Sequence, residues 1–151
     1  MHKIRRCDVA KRIYDDEFEL FSDLEEELST SMLTSVDKVV KKVYKRNVEK
    51  MYDSYSPTYY KRRYDDKGFG DESNLESRLD ELGDSFEYIM TNETLANGDN
   101  RRDRLATYIE EGKYNWSRKP GKRPVYEWTQ EEIDSSSEVE NAIYKDLKDW
   151  L

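Results

Sequence analysis

One cysteine and one histidine in 151 residues remove several chemistries together. A lone Cys7 makes no internal disulfide and no cysteine-based zinc site, and it reads as an ordinary thiol rather than a nucleophile. With His2 as the sole imidazole, a Ser-His-Asp triad and most metal sites are out of reach. Long apolar runs are missing too. Nothing approaches the ~20 residues needed to span a bilayer, and the opening MHKIRRCDVAKR lacks the apolar stretch of a secretory leader.

Aliphatic mass is short as well. Ile, Val, Leu and Phe total 29 residues, 19% of the chain, while 40% of residues are charged and the net charge is −8. Taken alone, that balance lies at the edge of disorder. The 12 Tyr and 3 Trp restore bulk, since each buried aromatic removes about 150–250 Å² from water. The expectation is a single domain, residues 1–151, with 1–14 as a flexible or extended arm and a thin, aromatic-rich core supported by neighbouring chains. The acidic balance argues against general nucleic-acid binding, which is driven by phosphate neutralisation.

Charge is sorted into blocks. Residues 15–28 hold eight acids and no base. Phe18, Phe21, Leu24 and Leu28 recur there at intervals of three and four, which predicts an amphipathic helix with those four inward. Ser29, Thr30 and Ser31 are placed to interrupt it. Thr34 or Ser35 is then a candidate N-cap for a second helix, with Asp37 in its first turn. Val36, Val39, Val40, Val43, Tyr44, Val48, Met51, Tyr52 and Tyr55 give that helix its apolar side, and Pro57 ends it. Its basic side has three readings: a solvated face, a partner for the acidic helix, or a nucleic-acid contact.

Beyond Pro57, residues 59–64 read as a tyrosine-arginine strand, followed by the turn-rich DDKGFGDESN. Leu75, Ser77 and Leu79 share one face of a predicted strand, and Gly83-Asp84 turns the chain into a second, where Phe86, Tyr88 and Met90 alternate with Glu87, Ile89 and Thr91. A short helix over 75–82 is the alternative. Residues 101–111 predict a helix stopped by Gly112, and KYNWSRKPGKRP is an irregular basic loop. Helices near 125–134 and from 138 to the end, separated by three serines, complete the chain. The fold class expected is α+β, with amphipathic helices on a small antiparallel sheet and a C-terminal helix.

No constellation carries chemistry. The acid pairs Asp15/Asp16, Asp65/Asp66 and Glu131/Glu132 arise easily among 34 acids and would need a pocket with shifted pKa values. Gly68-Phe69-Gly70-Asp71 lacks the Lys-Ser/Thr of a P-loop and reads as a turn. No cofactor or metal is expected, and the chain is not read as an enzyme. The residues singled out are protein-interface candidates: Lys38, Lys41, Lys42 and Lys45 on the second helix, Tyr60, Arg62 and Arg63 on the strand, and Trp116, Arg118, Lys122 and Arg123 in the basic loop.

The run YSPTYYKRRYDDKGFGDESNLE, with Ser56, Pro57, Tyr60, Arg62, Arg63, Gly68, Gly70 and Asp71 at the marked places, resembles tailed-bacteriophage neck or tail-completion proteins of the minor tail protein Z-like group. Glu111-Gly112 and Arg123-Pro124 are similar to later elements of that family, whereas Val125 stands where an aromatic would be. The resemblance spans residues 34–150. It implies a non-enzymatic α+β virion subunit that closes into a homo-oligomeric ring at the head-tail junction, beside other neck, portal-side or tail proteins. DNA would pass its lumen without sequence-specific contact, and no membrane is involved. The rival reading is a nucleic-acid-associated or regulatory binding module using the basic helix and loop, and a carboxylate-based hydrolase is a third.

Overall fold

The computed structural model describes residues 7–9, 12–14, 16–54, 68–95, 104–112 and 121–148, the first two segments as backbone alone. Within them the chain is α+β and mostly helical. Strands β1 (Cys7–Val9) and β2 (Arg12–Tyr14) form a short antiparallel hairpin within residues 1–14.

Helix α1 (Glu17–Ser31) starts where Asp16 accepts the Glu19 amide at 2.9 Å. It does not stop at the serines. A π-helical segment (Met32–Val36) leads straight into α2 (Asp37–Asp53). Backbone angles at Ser31, Met32, Val36 and Asp37 all stay right-handed helical. The expected break and the Thr34/Ser35 cap are therefore replaced by one unbroken helix over residues 17–53. The hydroxyls explain why: Ser29 donates to the Glu25 carbonyl at 2.9 Å, Thr34 to the Thr30 carbonyl at 2.7 Å, and Ser31 to Asp146 at 2.7 Å. Satisfied by the preceding turn or, for Ser31, by Asp146 near the C-terminus, they no longer compete with the helix.

Helix α2 ends at Ser54, two residues before the pre-proline position. A 3₁₀ turn (Glu72–Asn74) introduces β3 (Leu75–Leu82), paired antiparallel with β4 (Ser85–Asn92). The register places Leu75 opposite Asn92, Ser77 opposite Met90 and Leu79 opposite Tyr88. The hairpin is thus a strand pair, not the alternative helix, and Gly83 supplies the positive φ of 68° at its two-residue turn. Helix α3 (Leu105–Glu111) ends at Gly112 in the left-handed conformation. Helices α4 (Val125–Asp134) and α5 (Glu138–Leu147) follow, close to their expected bounds.

The core lies where α2, α3, α4 and β3 meet: Tyr44, Val48, Met51, Phe69, Leu75, Ala106, Ile109 and Val125 are buried together. Met90, Tyr126 and Trp128 pack around them. It is small and, contrary to the aromatic-rich core expected, mostly aliphatic: among the described residues Tyr44 and Phe69 are the buried aromatics, while Tyr52, Tyr126 and Trp128 pack at its edge. Rings of Tyr44 and Tyr126 lie 5.4 Å apart, and the Lys50 ammonium sits 4.5 Å over Trp128.

A polar knot fastens the turn before β3 to this core. The Asn92 amide donates to the Phe69 carbonyl at 2.8 Å, while its oxygen accepts from the Thr94 amide at 3.0 Å and the Thr94 hydroxyl at 2.5 Å. The Asn92 backbone N–H donates to the Tyr126 hydroxyl at 2.6 Å. Asn74 holds the Gly68 carbonyl at 2.9 Å. The Gly68-Phe69-Gly70-Asp71 motif is accordingly a turn whose Phe69 plugs the core, a role its glycine-rich pattern did not announce.

Three helices are tied by one cation. Arg46 of α2 reaches Glu132 of α4 at 2.6 Å and Glu138 of α5 at 3.0 Å, and Asn47 donates to the other Glu132 oxygen at 2.9 Å. Carbonyl-free termini are handled across elements: α4 has no side-chain cap of its own, and Glu110 of α3 accepts the Tyr126 amide at 3.0 Å. Burial raises the Glu110 pKa, against the lowering effect of that bond.

Candidate functional site

Helix α2 positions the first group of interface candidates. Lys38, Lys42 and Lys45 stand three and four residues apart and share one helix side; Lys38 and Lys42 are exposed and Lys45 is half-buried. Among the described residues none of these three is in an ion pair. Lys41 differs, because its ammonium meets Asp37 at 2.9 Å.

Asp37 is in turn the hub between helix and hairpin. Tyr88 donates to it at 2.7 Å, and the Tyr88 and Ser77 hydroxyls are 3.1 Å apart. Partial burial alone would raise the Asp37 carboxyl, but hydrogen bonds from Ser77, Lys41 and Tyr88 and the charge of Lys41 hold it below its ordinary value. Burial, with the Asp37 charge adding to it, pushes the Tyr88 phenol well above its own.

The basic-loop candidates divide. Lys122 is exposed, 3.9 Å from Glu127. Arg123 is 9% exposed, its guanidinium donating to the Met51 sulfur at 3.1 Å and its backbone N–H to the Ile109 carbonyl at 3.0 Å. Arg123 is therefore packed against the end of α2 rather than presented as an outward anchor. Tyr60, Arg62, Arg63, Trp116 and Arg118 lie outside the described residues.

Helix α1 holds what the sequence reading placed on the wrong side. Its half-buried apolar positions are Leu20, Leu24 and Leu28, and α5 packs along it. Phe18 and Phe21, expected inward, are 82% and 57% exposed. Glu17, Glu19, Glu25 and Glu26 surround them, all exposed. The same geometry disposes of an acidic-with-basic pairing within the chain. Glu25 and Lys42 ride on one helix, about 25 Å apart at 1.5 Å per residue, well beyond a screening length of about 8–10 Å.

A match along most of the sequence accompanies this architecture: the YomN family model covers residues 17–149, from the first turn of α1 to the end of α5. The chain belongs to the YomN family. YomN proteins are a Bacillus phage-derived family, which makes this chain phage-associated and agrees with the phage resemblance read from residues 34–150. The matched region takes in the whole helix over 17–53, including both outward phenylalanines. No curated protein and no solved structure matches the chain. Among the described residues no group of three or more His, Cys, Asp and Glu is arranged to hold a metal ion, and no helix is long and apolar enough to cross a membrane.

Proposed function

We propose that this chain is a structural, non-enzymatic virion subunit of the phage head-tail interface, at the neck or as a tail-completion or terminator protein. It assembles in the host cytoplasm as a homo-oligomeric ring, contacts portal-side or tail proteins, and joins or caps the tail. The observation that carries this reading is the exposure of Phe18 and Phe21 on a continuous helix, beside a core that is small among the described residues. Large apolar side chains presented together on an ordered element mark a surface meant to be covered by another protein. The net charge of −8 fits a lumen that repels DNA phosphates and lets the duplex pass.

Deleting the coding sequence from the phage is the direct test. The expected result is filled heads and tails that fail to join, together with the protein's peptides in purified wild-type particles by mass spectrometry. Infectious, intact particles from the deletion would overturn the reading. The exposed Lys38 and Lys42 support one rival, a nucleic-acid-binding module. Its signature is DNA affinity that falls steeply with salt.

A further inference from the structure

Resting on the ring reading above, we infer that the subunit-subunit seam is the outer face of α1 of one copy laid against the Leu33-Lys38-Lys42-Lys45 stripe of the next. Three observations lead there. Phe18, Phe21 and Glu25 are three and four residues apart, so they form one outward face that is apolar at its tip and acidic beyond it. Leu33, 45% exposed, lies one π turn before Lys38, and the lysines continue that side along α2. The second surface is therefore apolar at one end and basic beyond it, the complement of the first.

The continuity of the helix decides who the occupant is. The two surfaces cannot meet within one chain, because both are fixed on the same rod. Nor can α1 pair with α1 of a second copy around a two-fold axis, since that would set Glu17, Glu19, Glu25 and Glu26 against their own kind. What remains for a second copy is a head-to-tail contact of unlike surfaces. Contacts of that type close into rings when the rotation per subunit divides the circle. Phenylalanines supply the buried anchor, and the unlike charges set register and suppress the reversed orientation.

The test is sedimentation velocity on the purified full chain at low and moderate salt. Phe18→Ser with Phe21→Ser, and separately Lys38→Glu with Lys42→Glu and Lys45→Glu, are each expected to weaken association about a hundredfold. The helical circular-dichroism signal stays unchanged, because Phe18, Phe21, Lys38 and Lys42 are exposed, and a double variant that keeps the half-buried Lys45, Lys38→Glu with Lys42→Glu, repeats the loss. A chain carrying the lysine reversals together with Glu25→Lys and Glu26→Lys regains assembly, which a merely structural role for the lysines would not produce. A benzophenone amino acid at position 18 cross-links to residues 33–45 of a second copy. Oligomers that persist at full strength in both variants, or a cross-link mapped to another segment, would overturn the seam and leave the ring standing. Cross-linking to a different phage protein would replace the second copy as occupant. A wild-type chain that stays monomeric at every concentration, with a deletion phage that still joins heads to tails, removes ring and seam together.

Discussion

The side-chain amide of Asn92 donates a 3.1 Å hydrogen bond to the hydroxyl of Tyr44, joining the last residue of β4 to the middle of α2 inside the core. Tyr44 and Asn92 are both almost fully buried. That one contact links the sheet, the long helix and, through the Phe69 carbonyl, the turn between them.

Asn92→Ala leaves the Tyr44 hydroxyl, the Phe69 carbonyl and the Thr94 amide without a shared partner. A buried polar group stranded in this way costs about 1–3 kcal/mol, and relaxation offsets part of the sum. The expected loss is about 3 kcal/mol, read as a lower urea midpoint with an unchanged slope. An undiminished midpoint would show the knot to be dispensable.

Two glycines with similar angles separate strain from crowding. Gly83 and Gly112 have φ of 68° and 64°, yet an added Cβ meets nothing within 4 Å at Gly83, whereas at Gly112 it falls 2.5 Å from the Lys122 backbone nitrogen. Gly83→Ala is expected to cost about 1 kcal/mol, the left-handed penalty alone. Gly112→Ala adds a backbone collision that no side-chain rotation relieves, and it should cost at least twice as much. Thermal unfolding of the pair measures the difference.

Arg123 and Lys122 are neighbours with opposite fates. Arg123→Glu places a carboxylate against the Met51 sulfur in the core and is expected to destabilise by about 3 kcal/mol or more. Lys122→Glu, on an exposed and loosely paired cation, stays within about 0.5 kcal/mol. Denaturant curves of the two variants, which share the loop but not the burial, give the comparison.

Asp37 and Tyr88 place pH dependence at both ends of the scale. The folded-state carboxyl of Asp37 lies below its unfolded value, so its contribution is present above about pH 4 and is lost as pH falls through the folded pKa. The Tyr88 phenol is raised, so its contribution is complete below about pH 10 and is lost as pH rises toward the folded pKa. Asp37→Asn should therefore flatten the acid limb of a plot of urea midpoint against pH. Tyr88→Phe should flatten part of the alkaline limb, with Tyr44 and Tyr126, both raised first by burial, keeping the remainder.

Local signals made α3, α4, α5 and the β3–β4 hairpin legible in the sequence. Gly112, Pro124 and the triple serine punctuate the helices, and two-residue alternation around Gly83-Asp84 marks the strands. Signals that depend on distant partners were not legible. Phe18/Phe21/Leu24/Leu28 and Leu20/Leu24/Leu28 are both acceptable helical stripes, and only the packing of α5 along α1 selects the second. Asn92 finds Tyr44 and Phe69 at separations of 48 and 23 residues, for which no short pattern exists. Arg123 sat in a basic run read as a protein interface, and the buried end of α2 decided otherwise. Ser29, Ser31 and Thr34 are ordinary helix breakers, yet their hydroxyls find acceptors in the preceding turn and on Asp146. One local signal was present and unread: Asp16 followed by Glu19, the spacing of a capping box.

The unbroken helix over residues 17–53 also acts as a ruler. Because the helix is continuous, the separation between the phenyl rings at one end and Met51 in the core at the other is set by residue count, about 1.5 Å for each α-helical residue, and their relative azimuth by about 100° for each, with the π turn over Met32–Val36 adding a fixed offset. Length and phase are thus inherited together. Four residues inserted into α1 would carry Phe18 and Phe21 outward by about 6 Å while nearly keeping their heading, and two would turn them about 200° to the opposite side.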